Sequence, residues 1–224
     1  MSGAKNARLT ARPGRSASAP APGPATHRLG VAGGRDALLH VPAGLEPAQG
    51  TPLIVMLHGA GGSAGSSIPL LVAQAEAHDF LVLAPESRKA TWDVISDRDY
   101  GPDVDYIDAA LEHVFKRFAV SKVAVAGFSD GASYALSLGL ANGDLFSGVL
   151  AFSPGFTAPD PIVGRPSVFI SHGDDDRVLP IARCGRPIAE RLRRAGYDVD
   201  YREFDGGHTV PKPLVDAAVA RFLS

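Results

Sequence analysis

The chain predicts an α/β domain with a mostly parallel central sheet flanked by helices, and three observations carry that expectation. Short apolar runs rich in β-branched residues recur at 52–58, 80–84, 122–126, 148–152 and 168–171, as strands buried on both faces require. Between them lie helical stretches at 68–78, 103–118, 132–141 and 186–195, with a last one at 211–223, so strand and helix alternate. Finally, 224 residues at 45% hydrophobic and 21% charged fit one soluble domain with a sizeable core.

Composition also excludes several roles. A formal net charge of −2 without a basic block gives no electrostatic footprint for nucleic acid. The Arg191, Arg193 and Arg194 cluster sits beside an apolar stripe of Ile188, Leu192 and Ala195, and reads as the solvated face of a helix. Cys184 is the single cysteine, so no intramolecular disulfide exists. No apolar run approaches the roughly 18 residues of a membrane span, and no secretory signal stands out, so a cytoplasmic location is the expectation.

Residues 1–25 are rich in Ala, Pro, Ser and Gly and contain no acid, since the first is Asp36. They read as a flexible leader, with a transit peptide as the alternative, and residues 26–224 as one domain. Segments 27–32 and 36–41 flank Gly33-Gly34 and form an opening hairpin at an antiparallel sheet edge. Residues 44–50 are a loop before the strand at 52–58.

That strand runs into His58-Gly59-Ala60-Gly61-Gly62. Without G-x-G-x-x-G or a Walker lysine, the turn does not read as a nucleotide cradle. It reads instead as an oxyanion loop, in which the backbone amide of Ala60 joins that of Asp130 in pointing at one oxygen. After the strand at 80–84, residues 85–101 form a polar loop carrying Trp92, which either walls a substrate pocket or plugs the edge of the core. Asp93, Asp97, Asp99, Asp103 and Asp105 do not have EF-hand spacing; they read as solvated loop acids and helix-start acids, and no metal or other cofactor is expected.

Gly127-Phe128-Ser129-Asp130-Gly131 joins the strand at 122–126 to the helix at 132–141. G-x-S-x-G in that context makes a turn too tight for side chains two places either side of the serine, and leaves Ser129 exposed at a helix N-terminus. Downstream, only about fifteen residues separate the strands at 148–152 and 168–171, too few for a helical lid domain. Phe128, Phe156 and Ile162 are candidates to line the pocket, each with a core role as the alternative. Asp174, Asp175 and Asp176 follow the strand at 168–171, and one of them is expected to turn inward as an acid. The strand at 198–204 alternates as an edge strand does, and Asp205-Gly206-Gly207-His208 follows it.

These segments resemble the α/β-hydrolase superfamily, and within it the small phospholipase/carboxylesterase and dienelactone-hydrolase-like group. The likeness rests on Leu57 to Gly62, Gly127 to Gly131, His172-Gly173-x-x-Asp176-x-Val178-x-Pro180 and Gly207-His208. It implies Ser129 as nucleophile, His208 as base and Asp176, rather than its two neighbours, as the acid; the chain order is the one this fold uses. Dienelactone hydrolases proper carry cysteine at the elbow, so this chain departs from them. His58 and His172, each before a glycine at a strand end, rank behind His208 as the base.

The resemblance implies a serine carboxylesterase for short-chain acyl esters, with a small-molecule ester as partner. Thioesters, aryl (feruloyl-like) esters and peptides are alternatives on the same residues, and a non-catalytic binding module is the alternative from another class. The sequence gives no oligomeric state.

Overall fold

The computed structural model describes residues 6–14, 17–31, 34–45 and 50–224. Its sheet opens with β1 (Ala25–Arg28) and β2 (Leu38–Val41), an antiparallel pair. The Gly33 half of the expected turn pair, residues 46–49 of the expected loop and residues 1–5, 15 and 16 of the expected leader lie outside the described residues. Next come β3 (Thr51–Leu57), α1 (Ala64–Ser67), α2 (Pro69–His78), β4 (Leu81–Ala84), α3 (Asp93–Ser96) and α4 (Pro102–Phe115). The chain continues through β5 (Val120–Phe128), α5 (Asp130–Ala141), β6 (Phe146–Phe152), β7 (Ser167–Gly173), α6 (Gly185–Arg194), β8 (Val199–Phe204) and α7 (Lys212–Leu223).

The strands lie in the order β1-β2-β4-β3-β5-β6-β7-β8, parallel from β4 to β8 and antiparallel at the β1–β2 edge. β4 stands on one side of β3 and β5 on the other, so the winding reverses at β3. Loops leaving the carboxyl ends of strands at such a reversal diverge and leave a crevice. The loop after β3 and the turn after β5 both open there.

Alternation along β3 explains why its sequence is apolar throughout. Leu53, Val55 and Leu57 join a core with α4, α5 and α6, while Ile54 and Met56 join a second core with α2 and α7. Along the central strands each face of the sheet is therefore dry, whereas the edge strands β1 and β8 stay partly exposed and carry polar side chains such as Thr26, Asp200 and Arg202.

Two expectations need correction here. The leader is not loose where it is described: Ala7 and Leu9 are buried, the Leu9 amide donates to Asn142 Oδ1, and Arg8 and Arg12 both grip Asp144. Alanine and leucine at alternate positions give this stretch an apolar edge that its overall composition hides. The loop acids are not all solvated either. Asp93 and Asp103 are buried, and each accepts the other's backbone amide, at 2.7 Å (Asp93 N–H to Asp103) and 3.0 Å (Asp103 N–H to Asp93). The helix expected at 68–78 is α2, which Pro69 begins; α1, which the sequence did not announce, precedes it, with Ser63 capping it reciprocally with Ser66.

Candidate active site

The turn between β5 and α5 holds Ser129 at φ 57° and ψ −119°, a left-handed conformation that a residue with a side chain adopts only under constraint. The flanking glycines supply the constraint. A Cβ on Gly127 would sit 2.2 Å from the Gly131 carbonyl oxygen, and one on Gly131 would sit 2.2 Å from the Leu57 carbonyl oxygen. Strand, turn and helix thus press together to a distance that only glycine permits, and Ser129 is pushed out into the crevice.

There its Oγ lies 2.8 Å from His208 Nε2, and His208 Nδ1 lies 2.6 Å from Asp176 Oδ2. A carboxylate can only accept, so Nδ1 carries the proton and the bare Nε2 faces the hydroxyl. Asp176 is the inward-turned acid of its loop; Asp174 and Asp175 are exposed. Burial by itself would raise the Asp176 pKa, but hydrogen bonds from His208 and from the amides of Leu179 (2.8 Å) and Val178 (2.9 Å) outweigh it and hold the group below the ordinary carboxylate range.

The loop after β3 passes directly beside the serine: a Cβ on Gly59 would meet Ser129 Cβ at 3.4 Å. Ala60 is the next residue of that loop, and Asp130 is the first residue of α5, directly after Ser129. The loop is braced from behind. His58 Nδ1–H donates to its neighbour's carbonyl, Gly59 O, at 2.7 Å, and His58 Nε2 accepts the Ser87 amide at 3.0 Å. Burial keeps this imidazole's pKa below its ordinary value, in keeping with the one-proton pattern its partners demand.

Trp92 belongs to this brace, and its placement corrects the pocket-wall reading. The indole is 0% exposed, donates to the His58 carbonyl at 2.9 Å and stacks on Tyr134 at 5.0 Å. Tyr134 donates in turn to Asp93. Beneath the loop after β3, then, lies a buried stack that sequence reasoning missed, because each of its members reads separately as an ordinary core or loop residue.

The pocket candidates separate. Phe128 lines a mostly apolar cavity of about 270 Å³ with Gly59, Ala60, Ser66 and Leu70, and its ring packs 4.8 Å from that of His208. Phe156 is half-buried, with its backbone and that of Gly155 turned toward Ser133 Oγ, one helical turn from Ser129. Ile162 is a correction: it is 65% exposed, and its neighbour Val163 bonds to Leu140 and Gly143 at the far end of α5, roughly 18 Å along the helix from the serine. Residues 153–166 contain no helix, in line with the absence of a lid expected from their number.

Among the described residues no helix is long and apolar enough to cross a membrane. Residues 104–224, more than half of the chain, match the family model described as Phospholipase/Carboxylesterase. Feruloyl esterase C of Emericella nidulans is 30% identical over 166 residues, which is 70% of this chain and 60% of that protein, so the chain spans only about three fifths of that relative. Probable feruloyl esterase C of Aspergillus terreus is 28% identical over 85% of this chain and 84% of its own length. The crystal structure of esterase PE8 superposes with a TM-score of 0.66 at 24% identity, over 82% of this chain and 95% of its own, a likeness of fold. With the elbow, the switch-point crevice and the family match together, the chain belongs to the phospholipase/carboxylesterase family and has the α/β-hydrolase fold.

Proposed function

We infer that this chain hydrolyses carboxylic esters of small acyl groups through an acyl-enzyme on Ser129. The observation that carries the reading is the unbroken relay of Ser129 Oγ, His208 and Asp176, at 2.8 and 2.6 Å, placed where the sheet's winding reverses. A serine hydroxyl is a weak nucleophile until a base takes its proton, and the bare Nε2 of His208 is within reach to do so. Asp176 holds the imidazole in that tautomer and stabilises the imidazolium that forms.

In the first step the Ser129 oxygen adds to the ester carbonyl as its proton passes to His208, and the amides of Ala60 and Asp130 receive the charge on the former carbonyl oxygen. Collapse expels the alcohol, which takes the proton from His208. Water then repeats the sequence on the acyl-serine, releasing the acid and restoring the hydroxyl. The apolar cavity beside Ala60 and Phe128, about 270 Å³, supports a compact acyl group.

The test is labelling with a fluorophosphonate, mapping of the adduct, and turnover of p-nitrophenyl esters from acetate to palmitate. A methyl hydroxycinnamate joins the panel because the curated relatives are named feruloyl esterases. The adduct is expected on Ser129, with Ser129→Ala and His208→Ala folded but nearly inactive and turnover highest for short acyl chains. Undiminished hydrolysis by folded Ser129→Ala overturns the reading.

A further inference from the structure

We propose that His172 is a positioning residue for Asp176, acting through both the Leu179 peptide and its own N–H edge. The proposal rests on the esterase reading of Ser129, His208 and Asp176. It begins from a histidine which that mechanism does not use.

His172 is the next-to-last residue of β7 and is 0% exposed. Its Nε2 lies 2.7 Å from the Leu179 carbonyl oxygen and 3.2 Å from Asp176 Oδ2. Both neighbours are acceptors, so Nε2 carries a proton, directed at Leu179 O with its positive edge toward the carboxylate. Nδ1 is buried without a partner among the described residues and is therefore the bare nitrogen of a neutral ring. It faces the start of α6, where a Cβ on Gly185 would come within 2.6 Å. A helix N-terminus is a poor place for a second proton, and burial lowers the pKa of this imidazole in the same sense.

The consequence is a closed clamp. Leu179 donates its amide to Asp176 Oδ1 at 2.8 Å and gives its carbonyl to His172 at 2.7 Å, so the peptide group that orients the acid is itself oriented by the histidine. Asp176 Oδ2 meanwhile lies between His208 Nδ1 at 2.6 Å and His172 Nε2 at 3.2 Å. The carboxylate is thus fixed at both oxygens, and its freedom to turn away from His208 is removed. The other titratable groups around His172 are Glu203, its register partner on β8, with Arg186 of α6 paired to it, and Cys184, the cap of α6. The first two satisfy each other, and the thiol's pKa is raised by burial, so it stays protonated.

The experiment compares His172→Phe, which keeps a ring and loses the donor, with His172→Gln, whose amide nitrogen reaches the position of Nε2. kcat/KM is read against pH on p-nitrophenyl acetate, beside thermal melts. His172→Phe is expected to lower kcat about ten- to a hundredfold with KM little changed, and to move the midpoint of the acid limb downward by about half a pH unit or more. The reason is that a carboxylate free to turn away no longer balances the His208 imidazolium. His172→Gln is expected to restore both readouts. If His172→Phe does not fold, His172→Asn, too short to reach Leu179 O, is read in its place with the same expectation. An unmoved midpoint overturns the proposal and leaves His172 as packing. An upward shift overturns it too, because it signals a carboxylate still facing His208 and merely more basic. Loss of activity in Ser129→Ala with an unmoved midpoint in the His172 variants sinks this inference alone; activity retained in Ser129→Ala sinks the esterase reading beneath it.

Discussion

The same dipeptide closes two strands of this sheet, His58-Gly59 directly after β3 and His172-Gly173 at the end of β7, and the two histidines do opposite things with their rings. His58 puts its proton on Nδ1, gives it to the carbonyl beside it, and uses Nε2 to accept the Ser87 amide. His172 puts its proton on Nε2, gives it to Leu179 seven residues on, and leaves Nδ1 bare. The first braces the loop that carries the Ala60 amide, whereas the second clamps the loop that carries Asp176. One local sequence thus supports either half of the site, and what chooses between them is which backbone groups the neighbouring segments bring within reach of each nitrogen.

The acid loop offers the largest break in that comparison. Asp176→Asn keeps an oxygen for the Val178 and Leu179 amides but turns an NH₂ toward His208 and His172, both of which present N–H. His208 is then driven to the wrong tautomer, and kcat/KM for p-nitrophenyl acetate is expected to fall by about 10³ to 10⁴ in a variant whose circular dichroism is unchanged.

A smaller effect is expected on the side of the loop after β3. His58→Phe leaves the Ser87 amide and the Gly59 carbonyl without their ring partners and loosens the path of the Ala60 amide, and kcat should drop by about ten- to a hundredfold. The midpoint of the acid limb should stay where it is, since nothing in this loop holds Asp176. A pH profile of the variant decides the matter: a shifted midpoint would show that the two braces are not separate.

Deeper in the same brace, Trp92→Phe keeps the stacking on Tyr134 and deletes the donor to the buried His58 carbonyl. Stability should fall by about 1 to 2 kcal/mol, read by urea denaturation, with kcat reduced only a few-fold. An unchanged midpoint of denaturation would remove Trp92 from the account of the loop.

The smallest effect concerns the buried acids of the two sides, which titrate in opposite directions. Hydrogen bonds hold Asp176 below the ordinary carboxylate range, so its contribution to stability is present above that range and is lost on acidification. Burial, with the neighbouring Asp93 adding to it, pushes Asp103 up to about 6. Folded Asp103 therefore keeps its proton to higher pH than the unfolded chain does, and what this group contributes to stability declines as pH rises toward that value. Asp103→Asn cannot ionise, so the gap in melting temperature between wild type and variant should narrow from about pH 4 to about pH 7. A gap that widens would mean that the amides of Arg88 and Asp93, which donate to Asp103, prevail over burial.

Much of this was legible in the chain because it depends on local sterics and on periodicity. Gly127 and Gly131 announce a turn that no other residue fits, five apolar runs announce a sheet covered on both sides, and the order Ser129, Asp176, His208 follows the direction of winding. The site residues that could be named in advance are those whose chemistry is distinctive wherever they sit. Trp92, Ile162 and the pair Asp93 and Asp103 could not be assigned in this way, since an indole, an isoleucine or a loop carboxyl is defined by its surroundings. The leader misled for a related reason: Ala7 and Leu9 find cover beside the turn after α5, where Asn142 and Asp144 hold Leu9 and Arg8.

By itself, then, the sequence determined the layered α/β architecture and the tight serine turn, matters of spacing and backbone geometry, and by resemblance it marked Ser129, His208 and Asp176 as the candidate nucleophile, base and acid. The tertiary structure alone decided which nitrogen of each buried histidine bears the proton, and that Trp92 supports the loop after β3 from below as a buried donor. Those outcomes depend on where distant carbonyls and amides come to rest, which is a property of the packed chain and not of any segment within it.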